Sequence, residues 1–210
     1  LPLTTMQRDI YLATLAKPDT LENSLGFAFA MPFAVDITLW QNILREITAQ
    51  YAILRADLIR NKVPYQDIAY FAVSDSDDID FDFQDWSHET LDSATIQQRL
   101  DALVAKPYDL AVSARVSHTL IKVSDTHFHA TMAAHHMVLD GFAAVLIGTY
   151  LTTLYEKRLA GDTTPFTMED HFAAYISEIN HIAVPEFLVG PVYSGEGLQQ
   201  IVVFNDSAYV

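Results

Sequence analysis

Residues 126–141, THFHATMAAHHMVLDG, decide how this chain is read. Phe128, Ala130, Met132 and Ala134 alternate with His127, His129, Thr131 and Ala133, the two-residue period of a strand that presents an apolar face. A Ser-Asp-Thr turn at 124–126 joins it to the equally alternating ARVSHTLIKV at 114–123, so the two read as a strand pair. From Gly141 to about Arg158 the chain is a long apolar run that predicts a buried helix. The fold therefore turns on two histidines at a strand end, an aspartate four residues beyond the second, and a glycine opening a helix.

Working outward, PLTTMQRDIYLATLAKPD at 2–19 carries threonines at a helix start and Met6, Ile10, Tyr11 and Leu15 at helical spacing. Leu25 to Val35 is apolar without a helical stripe and holds Pro32, which predicts a strand near a sheet edge. Asp36 caps a helix through Gln50 with Leu39, Ile43, Leu44 and Ile47 on one face. AILRADLIRN and VPYQDIAYFAV then read as a hairpin, FDFQDWS as a short edge strand, Ser93 to Val104 as a helix, and EDHFAAYISEINHI as a last amphipathic helix. Strands that mostly do not alternate with helices point to α+β, a two-layer α/β sandwich. Near Val184 the pattern changes. We read 1–183 as one unit and 184–210 as a tail with one alternating strand and no helix to cover it.

Half the residues are apolar, enough for a substantial core. With 27 acidic and 12 basic residues, the formal charge of -15 argues against nucleic acid and anionic membrane as partners. The acidic cluster Asp75, Asp77, Asp78, Asp80 and Asp82 lacks an EF-hand's glycine turn and closing glutamate and reads as a solvated loop. There are no cysteines, hence no disulfide, thiol nucleophile or cysteine zinc site, which suits a cytoplasmic protein. No segment reads as membrane-spanning, because His135, His136 and Asp140 interrupt the most apolar stretch.

Strand parity separates the two imidazoles. Counting on from Ala134, His136 falls with the apolar set, where a neutral ring loses water, has a depressed pKa and serves as a base or hydrogen-bond partner. His135 falls on the opposite face and reads as a satisfied histidine that shapes the turn. Adjacent histidines on opposite faces cannot clamp one metal, and His127 with His129 has no third ligand in view, so no metal is expected.

The run HHMVLDG resembles the HHxxxDG signature of nonribosomal peptide synthetase condensation domains, which belong to the chloramphenicol acetyltransferase-like superfamily. Other stretches resemble that family in the same order. PLTTMQRDIYL is similar to its opening PLSxxQ helix, AQYAILRADL to its RHxxLRTxF segment with Arg55 on the motif arginine, KPYDL at 106–110 to its PFDL, and the helix ending Leu154-Tyr155-Glu156 to its ELxxLY. The resemblance covers about residues 2–182. Tyr51 stands where the family usually has histidine, and Ala134 where a bulky residue is common. Both histidines are present, which disfavours the heterocyclising branch.

The resemblance implies a chloramphenicol acetyltransferase-like half-domain, the donor-side N-terminal subdomain, with the tail a possible piece of the C-terminal one. It implies amide-bond formation between a carrier-bound acyl or aminoacyl thioester and a carrier-bound aminoacyl acceptor. Substrates ride on the 4'-phosphopantetheine arms of donor and acceptor carrier proteins, neighbouring synthetase domains are partners, and no cofactor is held directly. His136 is the implied catalytic residue, with His135, Asp140, Gly141 and Arg55 in support; Asp140 is expected to pair with Arg55, and Gly141 to admit the pantetheine arm. A complete condensation domain has two such halves, so this chain alone is expected to be inactive. Two other functions fit the same residues: a free-standing acyltransferase acting on a soluble alcohol or amine, and a non-catalytic docking or scaffold domain.

Overall fold

A computed structural model describes residues 1–60, 69–105, 110 and 116–180. KPYDL lies almost wholly outside them, as do the centre of the expected hairpin and the tail from 184. Helices fall at α1 Thr5–Ala16, α2 Ile37–Gln50, α3 Ser93–Val104, α4 Gly141–Leu159 and α5 Phe172–Asn180. Strands fall at β1 Ser24–Met31, β2 Ala56–Arg60, β3 Ala69–Val73, β4 Asp80–Asp85, β5 Ser117–Ser124 and β6 His127–His135.

Local chemistry sets the helix starts. Thr4 and Gln7 form a reciprocal capping box on α1. Asp36, Asp92 and Asp140 each accept a backbone N–H three residues on, fixing the starts of α2, α3 and α4. β1 stops at Met31, ahead of Pro32, whose ring has no N–H to give a ladder.

The main sheet has the order β1-β6-β5-β4. β6 lies antiparallel to both neighbours, and β4 runs parallel to β5. β2 and β3 form a separate antiparallel pair. One face of the main sheet, through Leu120, Phe128, Ala130 and Met132, shares a core with Trp40, Ile43, Leu44 and Ile47 of α2 and Ile147, Leu151 and Leu154 of α4. Each such large side chain removed from water contributes roughly 1.5–3 kcal/mol. Ile121 points the other way, into a smaller cluster with Leu100 of α3 and Trp86. At Gly26 a Cβ would sit 2.5 Å from the Val104 Cβ, so that glycine is what lets α3 approach β1.

Polar ties lock the α2–α4 layer. Arg158 pairs with Glu46 at 2.7 Å, Glu46 accepts the Phe166 N–H at 2.7 Å, and Tyr155 Oη accepts the Asp36 N–H at 2.7 Å while its ring stands edge-on to Trp40. The α+β assignment is thus met by sheet against helices. One expectation changes: Ala52–Arg55 is a 3₁₀ turn continuing from α2, and the strand opens only at Ala56. Alanine and leucine carry no β preference, and the end of α2 is followed by i→i+3 bonds that tighten the chain.

Candidate active site

The loop at 135–140 leaves the end of β6, the strand between β1 and β5, and enters α4. His135 is 1% exposed. Its Nδ1 accepts the Met137 N–H at 3.2 Å, so the ring proton sits on Nε2, 3.1 Å from Thr14 Oγ1. Thr14 Oγ1 donates to the Ile10 carbonyl at 2.9 Å and accepts from Asn23 Nδ2 at 3.0 Å, which completes its hydrogen bonding. Burial, with the neighbouring His136 ring adding to it, pushes the His135 pKa down to about 4. This ring is a neutral structural member that ties the turn to α1.

His136 is placed differently. β6 ends at His135, so strand parity does not orient the next side chain; the His136 N–H instead donates to the Asn23 carbonyl at 2.9 Å. The ring is half-buried, and among the described residues no group hydrogen-bonds to it. Desolvation lowers its pKa, and the Asp140 carboxylate opposes part of that shift. A neutral imidazole with both nitrogens available and one side open to solvent can accept a proton from an attacking nucleophile.

Asp140 is 7% exposed and accepts the Ala143 N–H at 2.8 Å, capping α4. Burial raises its pKa, while the Ala143 and Phe142 N–H groups and the His136 ring work the other way. The expected Asp140–Arg55 ion pair is not formed. The α4 cap occupies Asp140, whereas Arg55 donates to the Ser74 carbonyl at 2.6 Å and its charge lowers the pKa of Asp170, whose carboxylate is otherwise raised by burial. Asp170 joins α5 to the 3₁₀ turn by accepting the Phe172 N–H at 3.0 Å and the Ala52 N–H at 2.5 Å. Arg55 therefore supports the turn behind the site and makes no ionic contact with the motif aspartate.

Gly141 opens α4 with nothing within 4 Å of where a Cβ would stand. The first turns of α4 present two apolar side chains to solvent, Phe142 at 53% and Val145 at 63% exposure. A pocket beside the loop is bounded by Tyr51, Leu54, Leu139, Ile147, Tyr150 and Asp170. His136 is not among its lining residues; the chemistry-bearing groups converge at the turn instead.

The sequence reading missed Thr14 and Asn23, and it carried Gln7 only as the glutamine of the opening-helix motif, without a role at the turn. Gln7 is 4% exposed and donates its Nε2 to the Met137 carbonyl at 2.9 Å across 130 positions of sequence. The capping box was a visible signal for Gln7, but its second bond is tertiary. His118, buried on β5 with its pKa pushed to about 4 by desolvation, faces the α2–α4 layer away from the turn. Among the described residues, no group of three or more histidine or acidic side chains is arranged to hold a metal.

Fold and site together define an α+β sandwich whose inner strand delivers a histidine pair to a helix-capping turn. Within that class, a family model for the condensation domain matches residues 1–186, and the chain belongs to that family. It is 25% identical over 170 residues to a linear gramicidin synthase protein of Brevibacillus parabrevis, a match covering 78% of this chain and 2% of that protein. To bacitracin synthase 3 of Bacillus licheniformis it is 22% identical over 175 residues, covering 83% and 3%. The fold is similar to that of the starter condensation domain of rhizomide synthetase RzmA, with 19% identity, a TM-score of 0.73 and coverage of 86% of this chain and 45% of the other. It is also similar to the first condensation domain of the calcium-dependent antibiotic synthetase, with 20% identity, a TM-score of 0.69 and coverage of 86% and 43%. The chain thus spans less than half of those solved chains and a few per cent of the synthetases.

Proposed function

We propose that this chain is the donor-side half of a condensation domain that joins a carrier-bound acyl or aminoacyl thioester to the amine of a carrier-bound aminoacyl acceptor. The observation that carries this reading is His136: a half-buried imidazole of lowered pKa whose ring takes no hydrogen bond among the described residues. Both substrates arrive as thioesters on phosphopantetheine arms of carrier domains. The space beside Gly141 and the apolar surface of Phe142 and Val145 suit passage of such an arm.

The amine nitrogen attacks the thioester carbonyl carbon, forming the N–C bond. His136 takes the proton lost by that nitrogen as charge builds on the carbonyl oxygen. When the tetrahedral adduct collapses the C–S bond breaks, and the proton passes to the departing pantetheine sulfur. A thioester is already activated, so holding two tethered reactants together supplies most of the rate. Proton transfer through His136 adds about 10²–10⁴.

The second lobe of the domain closes the passage, and without it the described half is not expected to form product. The test is to supply the complete domain, built with this half, with a loaded donor carrier and either a carrier-loaded or a free aminoacyl amine, and to read product by intact mass. Product on the acceptor carrier, with little from the free amine, is the expected result. Equal turnover of the free amine points to a free-standing acyltransferase, and no product from any donor in a broad panel points to a docking domain.

A further inference from the structure

We infer that Gln7 is a positioning residue for His136, acting through the Met137 carbonyl. The inference rests on the catalytic reading of His136 and extends it to a helix 130 residues away in sequence.

The His136 ring makes no hydrogen bond among the described residues, so its direction is set by the backbone on either side of it. That backbone is held at three points. The His136 N–H is given to the Asn23 carbonyl at 2.9 Å, the Met137 N–H to His135 Nδ1 at 3.2 Å, and the Met137 carbonyl takes Gln7 Nε2 at 2.9 Å. Two of these anchors are backbone carbonyl or buried imidazole. The third is a side-chain amide, and it lies one peptide beyond the ring.

The chemistry of that amide separates helix capping from positioning. In the capping box the Gln7 side chain uses only acceptor capacity: its Oε1 takes the Thr4 N–H at 3.0 Å, while the Gln7 backbone N–H goes to Thr4 Oγ1 at 3.0 Å. Glutamate serves a capping box as well as glutamine does. It cannot donate to Met137 when ionised. The Nε2 bond is therefore the part of Gln7 that α1 itself does not need, and it is buried, where an unmatched carbonyl is costly. α1 in turn is fixed by Tyr11 Oη, which accepts from Arg60 Nε at 2.8 Å, and by Thr14 in the His135 network. The helix is a rigid arm reaching under the turn.

The experiment uses the complete condensation domain in its synthetase module, with both carriers loaded, under single-turnover conditions. Gln7→Met keeps the length and removes the donor. It is expected to lower the rate roughly tenfold, since small displacements at a reacting group are costly. In a His136→Ala background the same change is expected to lower the rate no further, because its effect runs through the missing ring. Equal loss in both backgrounds, or a wild-type rate for Gln7→Met beside a crippled His136→Ala, overturns the inference and leaves the catalytic reading intact. A wild-type rate for His136→Ala overturns both. Gln7→Glu keeps the test decisive should Gln7→Met not fold: its rate relative to wild type at the same pH is expected to rise on acidification, as the variant carboxyl regains a proton to donate. A flat ratio contradicts the inference.

Discussion

His135 and His136 are consecutive residues with opposite fates, and the two sides of the turn they occupy teach how the fold separates structure from chemistry. On the α1 side every polar group near His135 is matched: ring to Thr14, Thr14 to Ile10 and Asn23, Met137 to both His135 and Gln7. On the α4 side stand a half-buried ring with no hydrogen bond among the described residues, an open space beside Gly141, and exposed Phe142 and Val145. The closed side gives rigidity. The open side gives access.

The largest stability effect belongs on the closed side. His135→Ala leaves a cavity and strips partners from Thr14 and the Met137 N–H, and is expected to cost about 2–5 kcal/mol by chemical denaturation. The same ring gives a pH dependence. Its folded pKa of about 4 lies below the ordinary value of 6.5, so between those limits the unfolded chain binds more protons. Stability from this source is complete above pH 6.5, falls as pH is lowered and is lost once pH passes below 4. His135→Ala should remove part of the slope and leave the part due to His118, whose pKa is depressed alike.

Asp140 sits at the boundary. As a helix cap it predicts a loss of about 1 kcal/mol for Asp140→Ala and almost none for Asp140→Asn, because asparagine caps equally well. A buried Arg55 ion pair would instead cost roughly 3–5 kcal/mol for either change, which a denaturation midpoint separates cleanly. The smallest effect is on the open side: Phe142→Ser with Val145→Ser should shift stability within about 0.5 kcal/mol per site, while slowing transfer from loaded carriers.

Much of the fold was legible because local signals agreed with the final packing. Asp36 and Gly141 marked helix starts, and the alternation from Phe128 to Ala134 set the buried face of β6. The parallel pairing of β4 with β5 was not legible, since it depends on a crossover through α3 and on contacts remote in sequence. Parity had to be carried one residue past the end of β6, where the His136 backbone is held by a loop hydrogen bond to the Asn23 carbonyl. The Arg55 contact was likewise invisible, because Ser74 and Asp170 reach it from segments 19 and 115 positions away.

The most direct measurement is the single-turnover rate of the complete domain with His136→Ala, taken beside its melting temperature. A fall of about 10²–10⁴ with the melting temperature nearly unchanged is the predicted result. An undiminished rate, or a loss matched by unfolding, would contradict a catalytic His136.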